Sequence, residues 1–273
     1  MDEKILDDCF NYVYQLTLEC GELVKEGASK TKVIETKEHK HDVVTEYDKK
    51  VEEILINGIK KKFPDHKFIA EESSYGNVLP ELTDSPTWII DPIDGTQNFT
   101  RNIRLVCISI GLVVNKQIVL SILYNPCMDE MYTAKKGQGA FLNNERIHVS
   151  SCKKFSDALF CFTLIPRRGQ GNLFKARILE FMKRSNGFRI FGSVALTLCF
   201  IASGLMDAYS FENVMPWDVA GGILLIEEAG GFVKHKTGKS YDLMEPNLVV
   251  AATEELCDEM IGIINDIEVK NFD

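Results

Sequence analysis

The stretch Trp88-Ile89-Ile90-Asp91-Pro92-Ile93-Asp94-Gly95-Thr96 narrows the possible folds more than any other part of the chain. Thr87–Ile90 reads as a buried strand that stops at two carboxylates placed three apart around a proline. Pro92 fixes φ and Gly95 permits a tight turn, so both carboxylates and the Ile93 carbonyl can converge on one point. Such oxygens suit a hard cation such as Mg²⁺, which takes near-octahedral oxygen ligands. A helix starting at Thr96 would turn its free amides to the same place, a seat for phosphate. Taken alone, Asp-Pro-x-Asp-Gly reads equally well as a solvated acidic turn. Two further features tilt the balance. Glu71-Glu72 stands at another strand end, and Asp218 starts a helix after Pro216-Trp217. Three carboxylate clusters at the edges of apolar elements are poorly explained by solvation, because unpaired buried charge is costly and a divalent cation removes the repulsion.

Other chemistries fit less well. A glycosidase needs only two carboxylates and no phosphate seat. An aspartyl-phosphate enzyme usually sets its second Asp two residues after the nucleophile, not three. His39, His41, His66, His148 and His235 show no zinc-ligand spacing near these elements. The net charge of −9 argues against a general nucleic-acid binder and against attraction to anionic membranes. No apolar run is long enough to span a bilayer. The acidic start Met1-Asp2-Glu3 lacks the basic, then apolar, pattern of a secretory signal. The eight cysteines form no Cys-x-x-Cys pair and read as reduced, mostly buried thiols, so a cytoplasmic location is expected.

With 273 residues, of which 45% are apolar, the chain can bury a core without disulfides or a structural metal. Periodicity predicts a helix over about residues 4–26, a lysine-rich link from Lys30 to His41, and a second helix capped by Thr45 and ended by Phe63-Pro64. A strand Lys67–Ala70 enters Glu71. Val106–Val114 and Gln117–Tyr124 form a hairpin around Asn115-Lys116, and Met131–Ala134 and Ala140–Leu142 extend it. From about Ser150 the pattern changes to strand Leu159–Thr163, helices Leu173–Lys183 and Ser193–Ala202, and strand Ala208–Phe211. A helix opened by Asp218 runs to Gly230-Gly231, followed by strand Leu248–Ala252 and a last helix capped by Thr253. These blocks imply an α+β fold of layered helices and sheets. Residues 1–150 are expected to form an N-terminal α+β subregion carrying most metal ligands. Residues 151–273 are expected to form a C-terminal α/β subregion supplying Asp218 and the substrate-facing segment, both within one compact unit.

Three stretches carry a resemblance: Glu71-Glu72-Ser73; Trp88 to Thr96 with Asn98-Phe99; and Trp217-Asp218-Val219-Ala220-Gly221 with Glu228-Ala229-Gly230-Gly231. In their order and spacing the sequence resembles the inositol monophosphatase family, within the lithium-sensitive, magnesium-dependent phosphatases. The match runs from the first helix to the last strand. It implies the α/β/α/β/α sandwich of the inositol monophosphatase and fructose-1,6-bisphosphatase type, usually a homodimer, with two or three Mg²⁺ ions and inhibition by Li⁺.

By matching position, the resemblance implies that Glu71, Asp91, the Ile93 carbonyl and Thr96 hold a first metal. Asp91 would bridge to a second, completed by Asp94 and Asp218. Glu71 and Thr96 would orient the attacking water, Asp48 would support Thr96, and the Gly95 and Thr96 amides would bind phosphate. Lys37 matches a lysine near a third metal position, with Glu72 beside Glu71. The segment Gly192-Ser193-Val194-Ala195-Leu196 would meet the inositol ring, Asp218 would also touch substrate, and Glu212 is the candidate for the substrate glutamate.

The chain departs from the family pattern at three places. Gln97 follows Thr96 where Thr is common, and Thr100-Arg101-Asn102-Ile103-Arg104 lacks a proline. Glu212 is displaced by one residue relative to Asp207-Ala208-Tyr209. The expected activity is Mg²⁺-dependent hydrolysis of myo-inositol monophosphate. The alternatives are another sugar or nucleotide phosphate monoester as substrate, or a non-catalytic scaffold of the same fold.

Overall fold

The apolar stripe of the first helix is realised in α1 (Glu3–Gly27), where Cys9, Val13, Leu16, Cys20 and Val24 are buried. The computed structural model describes residues 2–37, 43–163, 172–212 and 214–272. The last four residues of the lysine-rich link, with His39 and His41, lie outside the described residues. Before the gap, β1 (Ile34–Thr36) pairs antiparallel with β2 (Val43–Thr45) beyond it. Thr45 caps α2 (Glu46–Lys62) as expected, and its hydroxyl accepts from Tyr47 N.

Next come β3 (Lys67–Ala70), the short α3 (Glu71–Ser74), β4 (Thr87–Asp94) and the short α4 (Thr96–Thr100). The hairpin strands are β5 (Cys107–Val114) and β6 (Gln117–Asn125), followed by β7 (Glu130–Lys135), β8 (Gly139–Leu142) and β9 (Glu145–Ile147). Strands β3 to β9 form one seven-stranded sheet in sequence order, with β3 parallel to β4 and the rest antiparallel. Every residue of β4 and β5 is buried, as expected for strands covered on both faces.

The second half contributes β10 (Leu159–Phe162), α5 (Asn172–Arg184), β11 (Gly187–Arg189), α6 (Val194–Ala202), β12 (Ala208–Phe211), α7 (Pro216–Glu228), β13 (Phe232–His235), β14 (Leu248–Ala251) and α8 (Glu254–Phe272). Its five strands make a second sheet in the order β11-β10-β12-β14-β13.

Alternation along the strands builds the layers. On β4, Trp88 and Ile90 face α1 and α2, while Ile89 faces the opposite way, toward α6 and α7. On the small sheet, Tyr209 and Phe211 join α6 and α7, whereas Phe160, Ala208 and Val249 pack on α5 and α8. The result is α1/α2, large sheet, α6/α7, small sheet, α5/α8: an α/β/α/β/α sandwich. All eight cysteines are free thiols, with only Cys127 and Cys152 less than fully buried.

Three expectations need correction. The strand opened by Thr87 does not stop at Asp91 but continues to Asp94 through an irregularity that accommodates Pro92, which has no amide to donate. The helix carrying Asp218 begins at Pro216, so Asp218 is its third residue. Strands β1, β2, β9, β11 and β13 are not predicted from the sequence; each is three or four residues long, and only β2 has a buried position.

Candidate metal centre

Asp91 and Asp94 are an odd number apart, so regular strand alternation would send them to opposite faces of the sheet. The register prevents this. Asp91 pairs with Ser109 and Asp94 with Cys107, so three steps on β4 match two on β5. This one-residue bulge brings both carboxylates to the face that looks at α7. The start of α7 supplies Asp218, and carboxylate oxygens of Asp91, Asp94 and Asp218 lie within 4.8 Å of one another. Asp91 is 1% exposed and Asp94 7%. Among the described residues no ion pair neutralises either of them.

The electrostatics follow from that geometry. Burial, then Glu71, Asp94, Asp218 and Asp48, push the Asp91 carboxyl well above the usual carboxylate value. Burial raises Asp94 to about 6, opposed by donors from Ser193 and Ala195. Ser193 Oγ donates to Asp94 Oδ2, and Ala195 N donates to the same oxygen at 2.7 Å. Acceptor-only oxygens converging here, those of Asp91 and Asp94 buried and without an ion-pair partner among the described residues, fit a hard divalent cation. The donor set contains no thiolate or imidazole.

Glu71 and Glu72 arrive on a neighbouring strand. Parallel pairing of Ala70 with Ile90 sets the end of β3 beside the end of β4. The turn into α3 is held from α2: Glu52 accepts from Glu72 N at 2.7 Å and Ser73 N at 2.8 Å. Lys37 Nζ bridges Glu71 Oε1 at 2.8 Å and Glu72 Oε1 at 2.7 Å, with its side chain 4% exposed. Burial alone would lower the lysine, but the two glutamates outweigh it and hold the ammonium above its ordinary value. Burial and Glu71 raise Glu72 to about 7. Glu71 is thus held by Lys37 outside the tight trio, yet after burial it exerts the largest push on Asp91.

Gly95 turns the chain from β4 into α4 with φ +90°, and a Cβ there would sit 2.9 Å from the Leu105 carbonyl oxygen and 3.3 Å from that of Gly192. Thr96 Oγ1 lies 3.0 Å from the Ile93 carbonyl and 3.2 Å from Asp48 Oδ1. The other Asp48 oxygen accepts from Thr45 N at 2.9 Å, completing a capping box, and burial raises this carboxyl to about 6. Asn98 Nδ2 donates to the carbonyls of Leu105 and Phe191, both at 2.8 Å, and so ties α4 to the Gly192-Ser193-Val194 segment.

Glu212 is paired with two cations. Its Oε1 meets the Arg177 guanidinium and its Oε2 is 3.3 Å from Lys236 Nζ. Two positioning residues were not found from sequence. Glu52 had a usable signal, since it follows Asp48 by one helical turn. Asn98 was noted only as part of a motif.

A model of the inositol monophosphatase family matches residues 6–268. The chain belongs to the inositol monophosphatase family. Inositol monophosphatase 3 of Solanum lycopersicum is 41% identical over 251 residues, 90% of this chain and 92% of the relative. Among solved structures of the fold, the extragenic suppressor protein suhB of Bartonella henselae is 29% identical with a TM-score of 0.85, covering 93% of this chain and 97% of that one. A Staphylococcal inositol monophosphatase-1 in a lithium chloride-soaked inhibitory complex is 26% identical with a TM-score of 0.81, covering 97% of both chains.

Proposed function

We infer that this protein is a phosphoric monoester hydrolase that converts myo-inositol monophosphate and water to myo-inositol and phosphate. The observation that carries the reading is the convergence of Asp91, Asp94 and Asp218 in a buried place with no neutralising partner for Asp91 or Asp94 among the described residues. Membership of a family whose curated relatives are inositol monophosphatases supports the substrate.

In this reading Glu71, Asp91, the Ile93 carbonyl and Thr96 would hold one Mg²⁺, Asp91, Asp94 and Asp218 would hold another, and Lys37 would stand near a third position. When bound, such cations offset the charge of the phosphoryl and leaving oxygens and make water more acidic. The protein's own groups do the rest. Asp48 accepts from the Thr96 hydroxyl and fixes its direction. Glu71, steadied by Lys37 and Glu72, takes up the proton of the water that attacks phosphorus. The amides of Gly95 and Thr96 donate to phosphate oxygens, and Gly192, Ser193 and Val194 face the alcohol part. The phosphorus–ester oxygen bond breaks, and the departing alkoxide takes up, through solvent, the proton that Glu71 accepted, so the alcohol leaves neutral and Glu71 is returned to its carboxylate form. The residues in these roles provide no phosphorylated side chain, so attack by water is direct.

We further read the chain as two subregions meeting near residue 150 in one unit, acting as a cytoplasmic homodimer inhibited by Li⁺. A lithium-inhibited Staphylococcal relative supports the last point. No helix among the described residues is long and apolar enough to cross a membrane.

Free-phosphate release from inositol, sugar and nucleotide monoesters, with and without Mg²⁺, tests the reading. Release from inositol monophosphate that requires Mg²⁺ is expected. Faster release from a nucleotide or sugar phosphate would reassign the substrate, and no release from any monoester would leave a scaffold.

A further inference from the structure

Glu212 follows β12, the strand that leads toward α7 and Asp218. Tyr209 and Phe211 on that strand enter the middle layer, while Ala208 packs toward α8. The same alternation sends Glu212 outward, away from the face on which Asp91, Asp94 and Asp218 meet. There it joins an ionic group built around a buried arginine. Arg177 of α5 is 5% exposed; it pairs with Glu212 and lies 3.7 Å from Glu268 of α8. Lys236, just after β13, reaches the second Glu212 oxygen. Arg177 Nε is buried without a hydrogen-bond partner among the described residues. An arginine is kept in such a place only where its remaining contacts outweigh the unmet donor. Those contacts draw α5, β12, β13 and α8 together where the chain leaves the small sheet. The next element, α7, begins at Pro216 and carries Asp218, whose Oδ2 accepts from Met215 N at 2.6 Å.

We propose that Glu212 is a positioning residue, anchored by Arg177 and Lys236, that fixes the exit from β12 and through it the place of Asp218, without touching substrate. The proposal rests on the reading of Asp218 as a cation ligand. It has a consequence for substrate choice: β12 offers the site no carboxylate, because its inward side chains are the buried Tyr209 and Phe211. Discrimination among phosphate monoesters then owes nothing to Glu212.

The test is a Mg²⁺ titration of the substrate-free protein, read by tryptophan emission. Trp217 is next to Asp218, and the other tryptophan, Trp88, is fully buried on the opposite side of the large sheet. Glu212→Gln and Arg177→Lys are both mild enough to keep the group hydrogen-bonded. Each is expected to weaken Mg²⁺ half-saturation by about tenfold, the lower end of what loss of a supporting shell does to metal affinity. The double variant is expected to be no weaker than Glu212→Gln alone, because the two residues act as one unit. At saturating Mg²⁺, KM for inositol monophosphate stays unchanged, as does its ratio to KM for glycerol 2-phosphate. A merely structural role would lower the active fraction at every Mg²⁺ concentration without shifting half-saturation, and that result would overturn the proposal. So would unchanged Mg²⁺ binding with a KM for inositol monophosphate raised tenfold in Glu212→Gln alone. If wild-type emission does not respond to Mg²⁺ and no phosphate is released, the functional reading itself falls and takes this one with it.

Discussion

Ser193 donates its hydroxyl to Asp94 while the same oxygen accepts Leu196 N at 3.1 Å, so a single side chain both caps α6 and holds a carboxylate at the end of β4. Ser193→Ala removes both roles. Loss of the cap is expected to cost about 1 kcal/mol in metal-free stability, measured by urea unfolding. Mg²⁺ affinity should also fall, by about tenfold. Normal affinity in a destabilised variant would separate the helix cap from the metal centre.

Asp91→Asn replaces the most strongly opposed charge of the cluster by a neutral group of the same shape. Because burial and four neighbouring carboxylates disfavour that charge, the metal-free variant should melt a few degrees higher than wild type, about what 1 kcal/mol produces in a chain of this size. Turnover and the stabilisation by Mg²⁺ should both disappear. A lower melting temperature without metal would mean that Asp91 contributes packing or hydrogen bonds that outweigh the repulsion.

The metal-free protein should lose stability as pH rises from about 4 to about 7. Asp48 and Asp94 are raised to about 6 and Glu72 to about 7, so each binds its proton more tightly folded than unfolded. Their contribution is complete below the ordinary carboxylate values and is lost as pH passes the raised ones. Protons compete with cations for the same oxygens, so Mg²⁺ affinity should run the other way and weaken below about pH 6. Melting curves at several pH values, with and without Mg²⁺, should therefore diverge as pH increases. Parallel curves would contradict the linkage.

Gly95→Ala places a Cβ against the Leu105 carbonyl in a left-handed conformation. Unfolding free energy should drop by more than about 1 kcal/mol. Phosphate release should fall on the order of 100-fold, since α4 and Thr96 would be displaced. An active, stable variant would show that the turn has another way to close.

Glu52→Gln leaves one oxygen for two amides, Glu72 N and Ser73 N, now faced partly by an amide donor. A loss of about 1–3 kcal/mol is expected on thermal unfolding, with weaker Mg²⁺ binding through Glu71. If stability alone changes, the α3 turn is independent of the metal centre.

The sheets were legible because β5 and β6 are apolar along most of their length and are broken by Asn115-Lys116, an unmistakable turn. The acidic stretches were equally plain, each standing where an apolar run ends. What brings Asp91 and Asp94 to one face was not plain, because a bulge leaves no mark in hydrophobic alternation; only Pro92 hinted at it. Strand β1 is exposed at every position and β13 is partly buried at every position, so neither shows a pattern to read. Glu52 follows Asp48 by one helical turn, a signal masked by the run of lysines and glutamates around it, which looks like a solvated helix face. The orientation of Glu212 depends on one residue of phase along β12, and its partner Arg177 comes from a helix whose charges gave no reason to expect burial.

The middle layer also sets an order of events during synthesis. The ribosome delivers Asp91 and Asp94 well before Asp218, and until α6 and α7 have emerged the inward side of the large sheet, with Ile89, Leu123 and Tyr132, has no cover. A nascent chain halted near its midpoint should therefore be sticky and unable to retain Mg²⁺, a client for chaperones rather than a half-built enzyme.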